Sequence, residues 1–258
     1  MFVIFGDSFA RIFSLFKDTK FKIYGFKGAT LKGLTKLNNE NRNSIEKIIK
    51  KNKNIKYVIF SFGQVDLNLS FYYDIVKNNG NIPKSSSEYY MEYINKYIEW
   101  ISNLSGNFKR IIIAPYPSPL NSEFTINSLI NYGSLTKEDV DKYRNQLELV
   151  ASDFTRNVRY FEYLYCLENA CKNNEIIYIN LNKYILNDKL IIKDEFYDIS
   201  KYNMHLRWSP LLPYIITEFK NNNIPIDEND IIDNMNEIEE LYLKEKKERL
   251  IKNKDYYI

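Results

Sequence analysis

Phe2-Val3-Ile4-Phe5-Gly6-Asp7-Ser8-Phe9 decides how the rest of the chain reads. Four consecutive apolar residues that stop at a glycine match a strand buried on both faces, as in a parallel sheet. From Ser8 the spacing changes: Phe9, Ile12, Phe13 and Phe16 recur at helical intervals. A buried strand running straight into a helix is how a layered α/β domain begins.

The same alternation continues outward from this stretch. A brief alternation predicts a strand over 21–24, and 57–62, 110–114 and 175–179 read as further strands. Residues 43–53, 88–104 and 210–219 carry helical spacing, and 136–171 reads as helix, in two pieces. Pro213 falls in the first turn of its helix, where proline is tolerated. Residues 78–87 are the most loop-like interior segment. Together these elements predict an α/β fold over 1–225: a mainly parallel five-stranded sheet between two helical layers, α/β/α. In such a sheet the ligand lies beyond the carboxyl ends of the strands. The loops opening at Gly6, Gly25 and Gly63 should therefore meet in one crevice. Residues 226–258 form a separate extension, apolar at Ile231, Ile232, Met235, Ile238, Leu241 and Tyr242 and then highly charged. It reads as an amphipathic helix that packs on the domain or, as a homodimer contact, on a second subunit.

Charge narrows the function. The 36 Lys and Arg against 33 Asp and Glu leave only +3, too balanced to suggest a nucleic-acid or anionic-membrane partner. No apolar run approaches a membrane span, and the opening apolar run is too short for a signal-peptide core, so a soluble cytoplasmic protein is expected. Cys166 and Cys171, the two cysteines, are expected to be reduced and buried. With them, a single histidine makes a poor zinc ligand set.

Four places hold chemistry. Ser8 sits between a strand and a helix, where its N–H belongs to the positive helix end; a serine or aspartate there can also be a plain N-cap. His205 is the only histidine, and a serine nucleophile needs one imidazole near neutral pKa to accept its proton and return it. Gly28-Ala29-Thr30 could bring a backbone N–H close to a substrate, or be an ordinary turn. Gln64-Val65-Asp66-Leu67-Asn68 follows a buried strand with three polar side chains that could line a crevice or cap a helix.

In this order the four places resemble the sequence blocks of the SGNH/GDSL hydrolases. Gly6-Asp7-Ser8 is similar to the nucleophile block, Gly28 to the oxyanion glycine, Gly63 to Asp66 to the third block, and His205 to the last. The resemblance implies a flavodoxin-like fold and a serine esterase acting on a small acyl ester, such as an O-acetyl group on a sugar, without metal or cofactor. It assigns Ser8 as nucleophile and His205 as general base. Gly28, Gln64, Asp66 and Asn68, with Asp7 and Arg11 around the nucleophile, would shape the oxyanion and substrate site. Two positions depart from the pattern. Val65 stands where the third block has an asparagine. Tyr202 stands where the last has an aspartate, leaving Asp198 or a backbone carbonyl to orient the imidazole. The same residues would serve a glycan O-acyltransferase. A non-catalytic glycan-binding module, with Tyr72 and Tyr73 stacking on sugar, is the reading from another class.

Overall fold

The computed structural model describes residues 1–131, 135–197 and 204–252. Five strands form its sheet: β1 (Phe2–Gly6), β2 (Phe21–Gly25), β3 (Tyr57–Ser61), β4 (Lys109–Ile113) and β5 (Ile177–Ile179). All four pairings are parallel, in the order β2-β1-β3-β4-β5. This is the doubly wound, flavodoxin-like order.

Side-chain alternation along the strands builds two cores. Val3, Phe5, Val58, Phe60 and Ile112 point to one face. Phe2, Ile4, Ile59, Ile111, Ile113 and Ile179 point to the other. Both faces are covered, so the inner strand β1 is apolar and buried throughout, whereas the edge strand β2 leaves Lys22 exposed. The first core lies under α1 (Leu31–Leu34), α2 (Glu40–Lys51), α3 (Phe71–Lys77) and α4 (Ser86–Ser102). After α5 (Ser122–Asn131), the segment expected as two helical pieces forms three: α6 (Lys137–Lys142), α7 (Arg144–Ala151) and α8 (Asp153–Asn173). Thr136 caps the start of α6; the breaks fall at Tyr143, between α6 and α7, and at Ser152, whose hydroxyl caps α8 and restarts the helix. Cys166 and Cys171 on α8 are free and buried.

The second core lies under residues Ser8–Leu15, α10 (Leu212–Asn221), which follows the short α9 (Asn182–Ile185), and the start of the extension. Ser8–Leu15 is a 3-10 helix rather than the α-helix that its spacing suggests. It still buries Ala10, Ile12, Phe13 and Leu15. In the extension, α11 (Met235–Lys252) sets Met235, Ile238 and Tyr242 against the domain's own core and leaves Leu241 exposed. Among the described residues no helix is long and apolar enough to cross a membrane.

The sheet order reverses direction between β1 and β3, and there the carboxyl ends open a crevice. At its floor the turn out of β1 is tight. A methyl group added to Gly6 would lie 2.4 Å from the Ala10 Cβ and 2.7 Å from the Ser61 carbonyl oxygen. Gly6→Ala should therefore cost about 1–3 kcal/mol by overpacking against backbone, several degrees of Tm in a thermal melt. The double variant G6A/A10G should recover part of the loss, because only the Ser61 contact then remains.

Candidate active site

Asp7, not Ser8, caps the 3-10 helix. Its carboxylate accepts the Phe9 N–H at 2.9 Å. The Ser8 hydroxyl is thereby left for another partner and reaches Nε2 of His205 at 2.9 Å, across 197 positions of sequence. Both residues are half-buried. The imidazole stacks on Phe9, centroids 4.2 Å apart and planes at 18°. Beyond it, the Leu206 N–H donates to the Tyr116 hydroxyl at 3.2 Å, and the Arg207 N–H to the Phe196 carbonyl at 2.9 Å. Asp198, the expected third member, lies outside the described residues, as does Tyr202.

The third block is occupied elsewhere. The Gln64 amide makes a reciprocal pair with the Tyr116 backbone: Nε2 donates to its carbonyl at 2.6 Å, and Oε1 accepts its N–H at 3.0 Å. This ties the exits of β3 and β4 together. The Asn68 amide donates to the Gln64 carbonyl at 3.0 Å. Asp66 accepts the N–H groups of Leu31 and Lys32 at 2.7 and 3.0 Å, holding the start of α1. Arg11 is exposed, its guanidinium 5.9 Å from the Tyr242 ring centroid. Tyr72 cannot be a sugar platform: it is fully buried, and its hydroxyl accepts from Arg159 at 2.8 Å.

Backbone donors remain near Ser8. The loop after β2 folds over the end of β1, with the Phe26 N–H donating to the Gly6 carbonyl at 2.8 Å. Gly28, two residues on, has φ +71°. Among the described residues no backbone carbonyl engages the N–H of Gly28 or of Ser8. Beside His205 a cavity of about 40 Å³ is bounded by Phe9, Ile113, Tyr116, Leu181, His205 and Trp208, among others. That is room for a few water-sized groups.

Two buried carboxyls sit at the strand ends. Burial pushes the Asp7 carboxyl up to about 8; the Phe9 N–H opposes this, and the Asp66 charge adds to it. Burial also raises Asp66, to about 6, against the N–H groups of Lys32 and Leu31. Each group is penalised for ionising where water cannot solvate it.

No family model and no curated protein matches the sequence. Solved structures do match. One shares 8% identity at a TM-score of 0.51, over 87% of this chain and 97% of its own. A GDSL-like lipase from Bacteroides thetaiotaomicron shares 13% identity at 0.45, over 86% of each chain. A carbohydrate acetylesterase from Sinorhizobium meliloti shares 11% at 0.42, over 70% of this chain and 84% of its own. The match at a TM-score of 0.51 supports the layered α/β architecture described above. At such identities the likeness is one of fold.

Within this fold, three residues at the Ser8–His205 pair or at the turn after His205 were not singled out from sequence. Phe9 reads as a core position by its spacing, yet its ring supports the imidazole. Tyr116 lies in a proline-rich loop, where only the alternation Pro115, Pro117, Pro119 marks a rigid segment. Glu239 is one of many carboxylates in the charged extension, and nothing local distinguishes it.

The raised pKa of Asp7 fixes the sign of a pH effect. The folded state holds this proton more tightly than the unfolded state, so the stabilisation is complete below about pH 4 and is lost as pH rises toward 8. Asp7→Asn removes the ionisation while keeping an acceptor for the Phe9 N–H. The Tm of Asp7→Asn minus that of the wild type should grow between pH 4 and 8 and level off above. A difference independent of pH would refute the burial penalty.

Proposed function

We propose that this protein is a serine ester hydrolase with Ser8 as nucleophile and His205 as general base. The observation that carries this reading is the 2.9 Å contact between Ser8 Oγ and His205 Nε2 at the carboxyl end of β1. A hydroxyl within hydrogen-bond reach of an imidazole is the arrangement that nucleophilic catalysis requires.

In the proposed reaction Ser8 Oγ attacks the ester carbonyl while His205 Nε2 accepts the hydroxyl proton. That proton passes to the departing alcohol. Water then attacks the acyl-serine, His205 accepts its proton, and the acid leaves as Ser8 Oγ is reprotonated. The N–H groups of Ser8 and Gly28 are the proposed oxyanion donors. One N–H of the Gln64 amide is committed to the Tyr116 carbonyl, and Val65, where the pattern has an asparagine, has no side-chain donor. A missing donor costs roughly 100- to 1,000-fold in rate, so slow turnover is expected. Asp198 is the proposed carboxylate behind the imidazole. The small cavity beside His205 supports a short acyl group, of acetyl size, over a long chain. An O-acetylated sugar is a substrate of that class.

Labelling the folded protein with a fluorophosphonate should modify Ser8, located by peptide mass, and Ser8→Ala should abolish it. An unmodified Ser8 in folded protein overturns the reading. Hydrolysis of p-nitrophenyl acetate should exceed that of the octanoate, and His205→Ala should lower it by about 10³-fold or more. Transfer of the acetyl group to an added sugar in place of water would identify an acyltransferase using the same residues. Labelled Ser8 without turnover of any activated ester would point to a binding module.

A further inference from the structure

The C-terminal extension is tied to both halves of the Ser8–His205 pair. On the serine side, the Ile232 N–H donates to the Leu15 carbonyl at 2.9 Å and the Lys17 N–H to the Asp230 carbonyl at 2.8 Å. Phe16 and Ile231 form an antiparallel bridge, and Lys20 pairs with Asp230 at 2.6 Å. These contacts fasten the end of the 3-10 helix that begins at Ser8. On the histidine side, Glu239 of α11 is only 3% exposed. Its Oε1 accepts the N–H of Trp208 at 2.6 Å and of Ser209 at 3.1 Å, three and four residues past His205. The Arg207 guanidinium approaches its other oxygen at 3.8 Å. One turn further along α11, Tyr242 stacks on Trp208 with centroids 4.2 Å apart.

A carboxylate taken out of water is costly unless hydrogen bonds replace its hydration. Glu239 finds those bonds in the turn that links His205 to α10, and an anion there also meets the positive, N-terminal end of the segment. The backbone of 206–209 is thus held from three sides: Phe196, Tyr116 and Glu239. Phe196 and Tyr116 belong to the domain, whereas Glu239 comes from the last helix of the chain.

We infer that Glu239 is a positioning residue: it fixes the turn after His205 so that Nε2 stays within hydrogen-bond reach of Ser8. The extension is accordingly a working part of the site. The catalytic consequence rests on the serine-hydrolase reading; the geometric one does not. Because His205 is the only histidine, its imidazole proton resonance is unambiguous in the spectrum of the full chain and reports the Ser8 contact without any turnover.

The test compares Glu239→Ala, Glu239→Gln and the exposed neighbour Glu240→Gln with wild type and Ser8→Ala, all below their melting temperatures. Glu239→Ala should move the His205 resonance toward its position in Ser8→Ala. It should also lower kcat for p-nitrophenyl acetate by roughly 10- to 100-fold, the scale of a misplacement near 1 Å, with KM little changed. Glu239→Gln keeps one acceptor oxygen and should fall between; Glu240→Gln should match wild type. If Glu239→Ala does not fold, Glu239→Gln decides. A lowered Tm with the imidazole resonance and kcat at wild-type values overturns the inference. If wild type hydrolyses no ester, the hydrolase reading fails and the resonance shift alone judges Glu239.

Discussion

The close passage of the backbone at Gly6 is the constraint on which the site depends. β1 and β3 lie side by side with Gly6 opposite Ser61, and the chain must turn at once into a helix that packs Ala10 back on the same spot. Only a residue without a side chain allows that approach. The consequence is geometric: Ser8 emerges at the point where the sheet order reverses, and Asp7 is turned inward to cap the helix. Capping by Asp7 leaves the serine hydroxyl available to His205. The end of the inner strand β1 and the start of the helix are thus built from Gly6, Asp7, Ser8 and Phe9.

Polar groups around the crevice divide into those that face outward and those that hold it together. Gln64 locks the β3 exit to the Tyr116 backbone, Asn68 locks the start of the next turn to Gln64, and Asp66 holds the first N–H groups of α1. Buried polar side chains need such partners, because an unmade hydrogen bond away from water costs about 1–3 kcal/mol. Their commitment to backbone is the physical reason that residues conspicuous in the sequence do not all point at one reacting atom. Asp7 and Asp66, both raised by burial, belong with the groups that hold the site together.

The extension changes how the domain is drawn. Its first residues add an antiparallel bridge to Phe16, and α11 lays Glu239 and Tyr242 across the turn beyond His205. Nothing in the local pattern of 226–258 separates such a helix from one that meets a second copy, since both bury the same apolar spacing. Within the chain, one carboxylate of that helix, Glu239, finds two backbone N–H groups of the domain.

Much of the architecture was already legible in the linear order of residues. Apolar runs ending at Gly6 and Gly63, a short alternating stretch ending at Gly25 and the helical spacings between them point to a parallel sheet covered on both sides, because strands buried on two faces read as continuous apolar runs. The strand–serine–helix junction and the single histidine were likewise readable, being matters of residue type and local geometry. The 3-10 form of residues Ser8–Leu15, the break of 136–171 into three helices, the pairing of Gln64 with Tyr116, the burial of Tyr72 and the reach of Glu239 were not. Each depends on a partner tens to hundreds of positions away, or on a cap that ends one helix and starts another. Tertiary structure alone decided which polar side chains would be used up by backbone and which two, Ser8 and His205, would meet. Hydrogen bonds are short and directional, and the spacing of residues along a chain carries no information about direction in space.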